Sequence, residues 1–254
     1  MKTPLHLLRV LMSTALFCGC ATPIKESAKP SADTSSPVDS AASDTPLDLA
    51  FPLADPLAFD IVLGLDHDPV DHSGEGPIGE ATCTDYVGRA FPHCYDQHKG
   101  TDYILAGSWT AMDAGSVNIL AAAPGTVLET IDGNYDRCHA DVESGGVSCD
   151  GHEMAANRVT IEHTGTDGSM WRTRYLHMMK DSVVVEEGDI VETGDVLGKV
   201  GSSGLSSFPH LHLELQEPGP TTDWLVLDPY AGPYSQPESF WCDQGSEDGL
   251  PGPC

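Results

Sequence analysis

The chain has few positive charges: 12 Lys and Arg stand against 39 Asp and Glu in 254 residues, a formal net charge of −27. Such a field repels phosphate backbones and anionic lipid surfaces, so no nucleic-acid partner is expected. Aromatics are also sparse, at 7%, while Gly (26) and Pro (19) are plentiful. No Ala, Leu, Glu and Lys-rich tract is present from which a helical bundle could be built, and a turn-rich β protein is expected instead. Long apolar runs are lacking too. The one sustained stretch, Val10 to Phe17, is far short of the roughly 20 residues that span a bilayer. Finally, the sequence contains no His-Glu-x-x-His helix, which removes the helical arrangement of two zinc-binding imidazoles around a basic Glu.

That short run follows Lys2 and Arg9 and ends at Phe17-Cys18-Gly19-Cys20, the order of an export signal, here assigned to residues 1–19. Gly19 before Cys20 is similar to a bacterial lipobox, which implies a membrane partner through a lipid anchor on Cys20; without lipidation the protein would be secreted. Residues 20–54 are read as a tether: from Ala21 to about Ala50 the chain is Ser, Ala, Pro, Thr and Asp with almost no large apolar side chains, a composition that cannot offset its own ordering entropy. Thirty such residues have a root-mean-square span of roughly 30 Å. The remaining chain, 55–254, is expected to be one folded domain with its core at 94–215.

Six Cys follow Cys20, at 83, 94, 138, 149, 242 and 254. An even number in an exported chain points to disulfides, and the simplest pairing is local: Cys83 with Cys94, Cys138 with Cys149, Cys242 with Cys254. A rival is a structural zinc site from Cys138, His139, Cys149 and His152, whose spacing fits none of the usual zinc patterns. Between these loops the apolar pattern has period two. Val159, Ile161 and His163 share one face, as do Trp171, Thr173, Tyr175 and His177, with 165–169 as the turn between two strands. Short β segments are expected at 183–185, 190–191 and 196–200, separated by glycines. The fold class is mostly β and antiparallel.

The chemistry concentrates in His210-Leu211-His212-Leu213-Glu214-Leu215. On a strand the three polar residues look one way and the three Leu the other. His98-Lys99-Gly100-Thr101-Asp102 can add an imidazole and a carboxylate across a Gly turn, giving ligands that suit zinc with a water position left open. Glu214 is assigned a supporting or a merely solvated place on that face. His163 is read as a packed residue. The acidic loop from Asp66 to His72 is read as solvated, with a second cation site as the alternative; His93, His139 and His152 are read as exposed.

Taken together, His-x3-Asp, the later Tyr175-Leu176-His177-Met178 and the His-x-His strand resemble the lysostaphin-type zinc metallopeptidases, which cut peptide cross-links of bacterial peptidoglycan. The likeness runs from about Cys94 to Leu215 and includes Ala156-Asn157-Arg158-Val159 and Gly201-Ser202-Ser203-Gly204 leading to Pro209-His210. It implies an antiparallel sheet or half-barrel of the lysostaphin-like type, with disulfide-closed loops inserted. Residue by residue, it implies one Zn²⁺ per chain held by His98, Asp102 and His212, with His177 and His210 as the catalytic pair. On that pattern His210 is placed to take a proton from water and His177 to donate to the oxyanion; Asn157 is assigned to the substrate cleft. The implied function is a zinc endopeptidase acting on peptidoglycan peptides. Two alternatives are a non-catalytic module of the same fold that regulates a cell-wall amidase, and a swinging-arm carrier domain suggested by residues 188–197. Intact ligand positions argue against the first, and the placement of Lys180 against the second.

Overall fold

The computed structural model describes residues 45–55, 59–73, 75, 81–115, 117–141, 146–247 and 249–254. The proposed export signal and Cys20 lie outside these residues. All described residues belong to one compact unit, 42–254. Among them, no helix is long and apolar enough to cross a membrane.

Alternating burial builds the main sheet, in which every pairing is antiparallel. Its strands, in chain order, are β1 (Phe59–Leu63) and β2 (Thr101–Leu105), then, after the short helix α1 (Ser108–Asp113) and the small strand β3 (Asn118–Leu120), β4 (Gly125–Ile131). A two-stranded ribbon, β5 (His139–Ala140) and β6 (Val147–Ser148), interrupts the sheet before β7 (Arg158–Thr164) and β8 (Met170–Leu176). The chain then forms β9 (Ile190–Val191), β10 (Val196–Lys199), β11 (His210–Pro218) and β12 (Trp224–Leu227). The order is β1-β2-β11-β8-β7-β4-β9, with β12 also on β11, while β10 pairs with β3 apart from the sheet.

The expected strands at 158–163 and 171–178 are β7 and β8, joined by the turn in which the Gly165 N–H donates to the Ser169 carbonyl. The segments at 190–191 and 196–200 are β9 and β10, whereas 183–185 is not a strand and makes one ladder-like bond, from Val184 N–H to the Leu197 carbonyl. One face of the sheet is apolar: Val159, Ile161, Tyr175, Leu211, Leu213 and Leu215 are buried completely and pack with Ile119, Leu197 and Met178. His163 is part of this interior, as expected, bonded through Nδ1 to the Pro124 carbonyl and through Nε2 to Thr173 Oγ1. The other face of β11 and β8 carries His210, His212, Glu214 and Gln216 beside Arg174 and Arg172.

The boundary expected between residues 54 and 55 moves toward the N-terminus. Leu47, Leu49 and Leu53 are buried in the core, and Leu49 exchanges backbone bonds with Phe240 and Cys242 of the C-terminal tail. The polar composition of residues 20–54 hides these three Leu. Their odd-numbered spacing puts all three on one side of an extended chain.

All three local disulfides are formed: Cys83–Cys94, Cys138–Cys149 and Cys242–Cys254. The rival zinc site is thereby excluded, since its two thiols are bonded to each other and the His152 ring stacks on Tyr135 at 4.1 Å.

Candidate metal centre

The register of β2 against β11 sets Asp102 opposite His212, and His98 is held in the turn that leads into β2 by its backbone bond to Tyr95. Each imidazole has one nitrogen fixed by a carbonyl. His98 Nδ1 lies 2.7 Å from the Gly64 oxygen and His212 Nε2 lies 3.1 Å from the Lys99 oxygen. A carbonyl can only accept, so those nitrogens carry the protons, and His98 Nε2 and His212 Nδ1 turn toward Asp102. Such outer contacts select the tautomer in metal sites.

Asp102 Oδ1 is 2.7 Å from His212 Nδ1 and 3.2 Å from His98 Nε2, and the two nitrogens are 3.2 Å apart. Ligand atoms at about 2.0 Å on a tetrahedral zinc are separated by about 3.3 Å, so the triangle has the size that such an ion requires. Among the described residues, His98, Asp102 and His212 are the one group of His, Cys, Asp and Glu whose ligand atoms all lie within 4.8 Å of each other. Burial alone would raise the Asp102 carboxyl, but the surrounding His98, His210 and His212 hold it well below the usual carboxylate range. Burial likewise opposes charge on His212, yet the bond to Asp102 outweighs it and carries the ring up to about 9.

Gly100 makes the close approach possible. Its φ is +151°, and a Cβ there would stand 2.6 Å from His212 Nε2 and 2.7 Å from the Leu213 oxygen. Only Gly fits this turn.

His177 and His210 are brought to the same place, His177 by a route that period-two alternation does not show. Continuing β8 would put His177 on the core face with Trp171, Thr173 and Tyr175. Instead β8 ends at Leu176 and His177 takes φ +61°, with its ring 4.6 Å from that of His210 and 5.7 Å from that of His212. His177 Nδ1 donates to the Ser203 carbonyl at 2.6 Å and His210 Nδ1 to the Phe208 carbonyl at 2.7 Å, so in the neutral form of either ring Nε2 is the nitrogen with the lone pair. His210 Nε2 lies 3.5 Å from Asp102 Oδ1. Burial and the neighbouring His210 and His212 push His177 down to about 3.

Other residues support this group. Tyr95 stacks on His98 at 4.1 Å and its hydroxyl donates to Asp102 Oδ2 at 3.3 Å, leaving Oδ1 for the imidazoles. Glu214 is buried rather than solvated: it accepts from Arg174 Nη1 at 2.8 Å and Gln216 Nε2 at 2.6 Å and lies 3.5 Å from His212 Nε2. Asn157 does not line a cleft. It is completely buried, and its amide nitrogen donates to the Met178 and Asn134 carbonyls, fixing the backbone just after His177. The acidic loop is ordered by its own chain: Asp66 accepts from the N–H groups of Asp68, Thr84 and Gln97, and His67 pairs with buried Asp228 at 3.0 Å. It contributes no group with metal-binding spacing among the described residues. Sequence reasoning missed Gly64, Tyr95, Ser203 and Phe208. Three of them act through backbone carbonyls, which side-chain identity does not reveal.

Residues 96–224, just over half of the chain, match the family model described as Peptidase family M23. The chain belongs to this peptidase family. The curated relatives include the peptidoglycan DD-endopeptidases ShyB and ShyA of Vibrio cholerae, 38% and 41% identical over 64 residues, which is 25% of this chain and 14% of each relative. The matched stretch thus spans about one seventh of the length of those relatives. Solved structures that resemble the chain include the catalytic domain of lysostaphin from Staphylococcus simulans, with 23% identity, a TM-score of 0.34 and coverage of 53% of this chain and 77% of that one. A zinc-containing peptidase from Vibrio cholerae shows 22% identity and a TM-score of 0.40, over 71% of this chain and 39% of that one.

Proposed function

We propose that the protein is a zinc metalloendopeptidase that hydrolyses peptide cross-links of bacterial peptidoglycan, with His98, Asp102 and His212 as metal ligands and His177 and His210 as the catalytic pair. The observation that carries this reading is the convergence of His98 Nε2, Asp102 Oδ1 and His212 Nδ1 beside two further imidazoles, His210 with Nε2 3.5 Å from Asp102 Oδ1 and His177 with its ring 4.6 Å from that of His210. Membership in family M23 and the names of the Vibrio cholerae relatives support the reaction and the substrate class.

A zinc ion held there supplies a Lewis acid for the scissile carbonyl and lowers the pKa of a water toward about 7. The chain's own residues move the protons. His210 accepts the proton of the attacking water at Nε2, because the Asp102 carboxylate 3.5 Å away stabilises the imidazolium that results. It then gives that proton to the leaving amine as the C–N bond breaks. His177, held neutral by burial, keeps its lone pair and orients the water. This revises the oxyanion-donor role expected for His177, since a ring whose Nδ1–H is bound to Ser203 has no Nε2–H to offer.

The extracytoplasmic setting rests on the substrate class and on three disulfides, which form in oxidising compartments. Residues 1–19 are proposed as the export signal and Cys20 as the lipid anchor; incorporation of labelled palmitate that is lost in Cys20→Ala tests this.

Digestion of purified cross-linked muropeptides, followed by mass analysis, tests the activity. Cleavage within the cross-link that is abolished by a chelator and restored by zinc supports the assignment. Absence of cleavage by zinc-loaded protein, with an increase in amidase activity on its addition, would favour the regulatory alternative.

A further inference from the structure

His177 stands in the left-handed region at φ +61°, and Asp181 follows at +58°. A residue with a Cβ persists at such angles only where its surroundings fix the backbone there. The fixing groups come from outside β8. The chain just after His177 is bonded repeatedly to the turn at 132–136, which leads into the Cys138–Cys149 loop. Asp132 accepts from the N–H of Asp181 through Oδ1 at 2.9 Å and from that of Val183 through Oδ2 at 3.1 Å, and Asp136 Oδ2 accepts from the Lys180 N–H at 2.8 Å.

Asn157 joins that turn to His177. Its Oδ1 accepts from the Asn134 N–H at 2.9 Å, and its Nδ2 donates both protons, to the Asn134 carbonyl at 3.2 Å and to the Met178 carbonyl at 3.1 Å. Its main chain accepts from the Met178 N–H and donates to Ser203 Oγ at 2.9 Å. Ser203 Oγ in turn donates to the Met178 carbonyl at 2.9 Å, while the Ser203 carbonyl holds His177 Nδ1. The backbone after His177 is thus held from Asn157 and Ser203, and the ring from Ser203. Asn157 is completely buried, so its amide has no water to fall back on. A carboxylate of the same size would turn an acceptor toward both carbonyls and leave them unpaired.

Building on the proposed peptidase reading, we infer that Asn157 and Asp132 are positioning residues for His177: with the turn at 132–136 they form a brace that holds the reversed backbone at His177 and so keeps its ring beside that of His210. The brace acts on one side chain of the site. None of its bonds reaches His98, Asp102 or His212, so zinc binding survives its loss. The ring of His177 does not keep its place, and a displacement of about 1 Å at a reacting centre costs up to about 10² in rate.

The test uses the zinc-loaded protein and one defined cross-linked peptide. Asn157→Asp is expected to lower kcat at least about tenfold, with KM within about twofold of the parent and about one zinc per chain. Asp132 is exposed, so Asp132→Ala decides the matter if Asn157→Asp does not fold; it is expected to lower kcat about threefold to tenfold, again with zinc and KM kept. Asp167→Ala, which removes a comparable carboxylate from the turn between β7 and β8, should leave kcat unchanged. A merely structural role would act with or without His177, whereas a positioning role disappears with it. In the His177→Ala background, therefore, neither Asn157→Asp nor Asp132→Ala should lower the residual rate by more than about twofold. Full kcat in the folded variants, or a loss in the His177→Ala background equal to that in the parent, overturns the inference and leaves the peptidase reading intact. A zinc-loaded parent that cleaves no cross-linked peptide overturns both.

Discussion

Gly100→Ala perturbs the metal centre sharply without replacing any of its proposed ligand residues. The added Cβ would stand 2.6 Å from His212 Nε2, 2.7 Å from its Cε1 and 2.7 Å from the Leu213 oxygen. Non-bonded heavy atoms settle at about 3.5–4.0 Å, so the ring must retreat by about 1 Å. That retreat breaks the 3.1 Å bond to the Lys99 carbonyl and carries Nδ1 away from Asp102. Loss of such a supporting contact typically weakens metal binding by about 10- to 100-fold, and a misplacement of this size costs turnover about 10². The left-handed backbone adds about 1–3 kcal/mol of strain for any residue with a Cβ. Gly168→Ala separates the two effects, because Gly168 has φ +83° with nothing within 4 Å of its Cβ position. Competition for zinc against a chromogenic chelator, run beside thermal unfolding, should show both variants destabilised and only Gly100→Ala weakened in zinc affinity. Equal zinc affinity for Gly100→Ala and the parent would show that His212 is not a ligand.

Tyr95→Phe removes the hydroxyl that holds Asp102 Oδ2, and zinc affinity should fall by about tenfold with little change in melting temperature, measured by the same competition. In the metal-free protein His212 titrates near 9, so zinc binding at pH 7 must displace its proton; addition of zinc to a lightly buffered sample should release about one proton per chain, and His212→Ala should abolish it. The same raised value means that the stabilisation of the metal-free fold from this ring is fully present below its ordinary value of about 6.5 and is lost as pH rises through about 9, which thermal unfolding across that window measures. Opening the Cys83–Cys94 loop with a double Ala substitution should cost about 3 kcal/mol in denaturant unfolding, the chain-entropy value for a loop of this size.

Alternation made much of the fold legible. Val159 and Ile161 identified β7, and Leu211, Leu213 and Leu215 fixed which side of β11 carries the imidazoles. The local disulfides followed from spacing, because loops of about a dozen residues close easily. Two kinds of feature stayed hidden. The turn at His177 reverses the face of a strand by one positive φ angle, and nothing in the Tyr175-Leu176-His177-Met178 pattern encodes that angle. The contacts from Gly64, Lys99, Ser203 and Phe208 that fix the ring tautomers are carbonyl contacts, available to any residue type and set only by tertiary placement. The burial of Leu47, Leu49 and Leu53 was obscured because three apolar residues scarcely alter a polar average, although all three belong to the core.

Zinc content measured beside the rate of hydrolysis of one defined cross-linked peptide, for single Ala variants of the five site residues, separates ligands from catalysts. His98→Ala, Asp102→Ala and His212→Ala should lose both zinc and activity. His177→Ala and His210→Ala should keep about one zinc per chain and lose turnover by at least about 10². His210 is the decisive position, because its Nε2 already lies 3.5 Å from the carboxylate oxygen of Asp102. A His210→Ala protein that loses zinc as completely as His212→Ala would make His210 a ligand and contradict the division of roles.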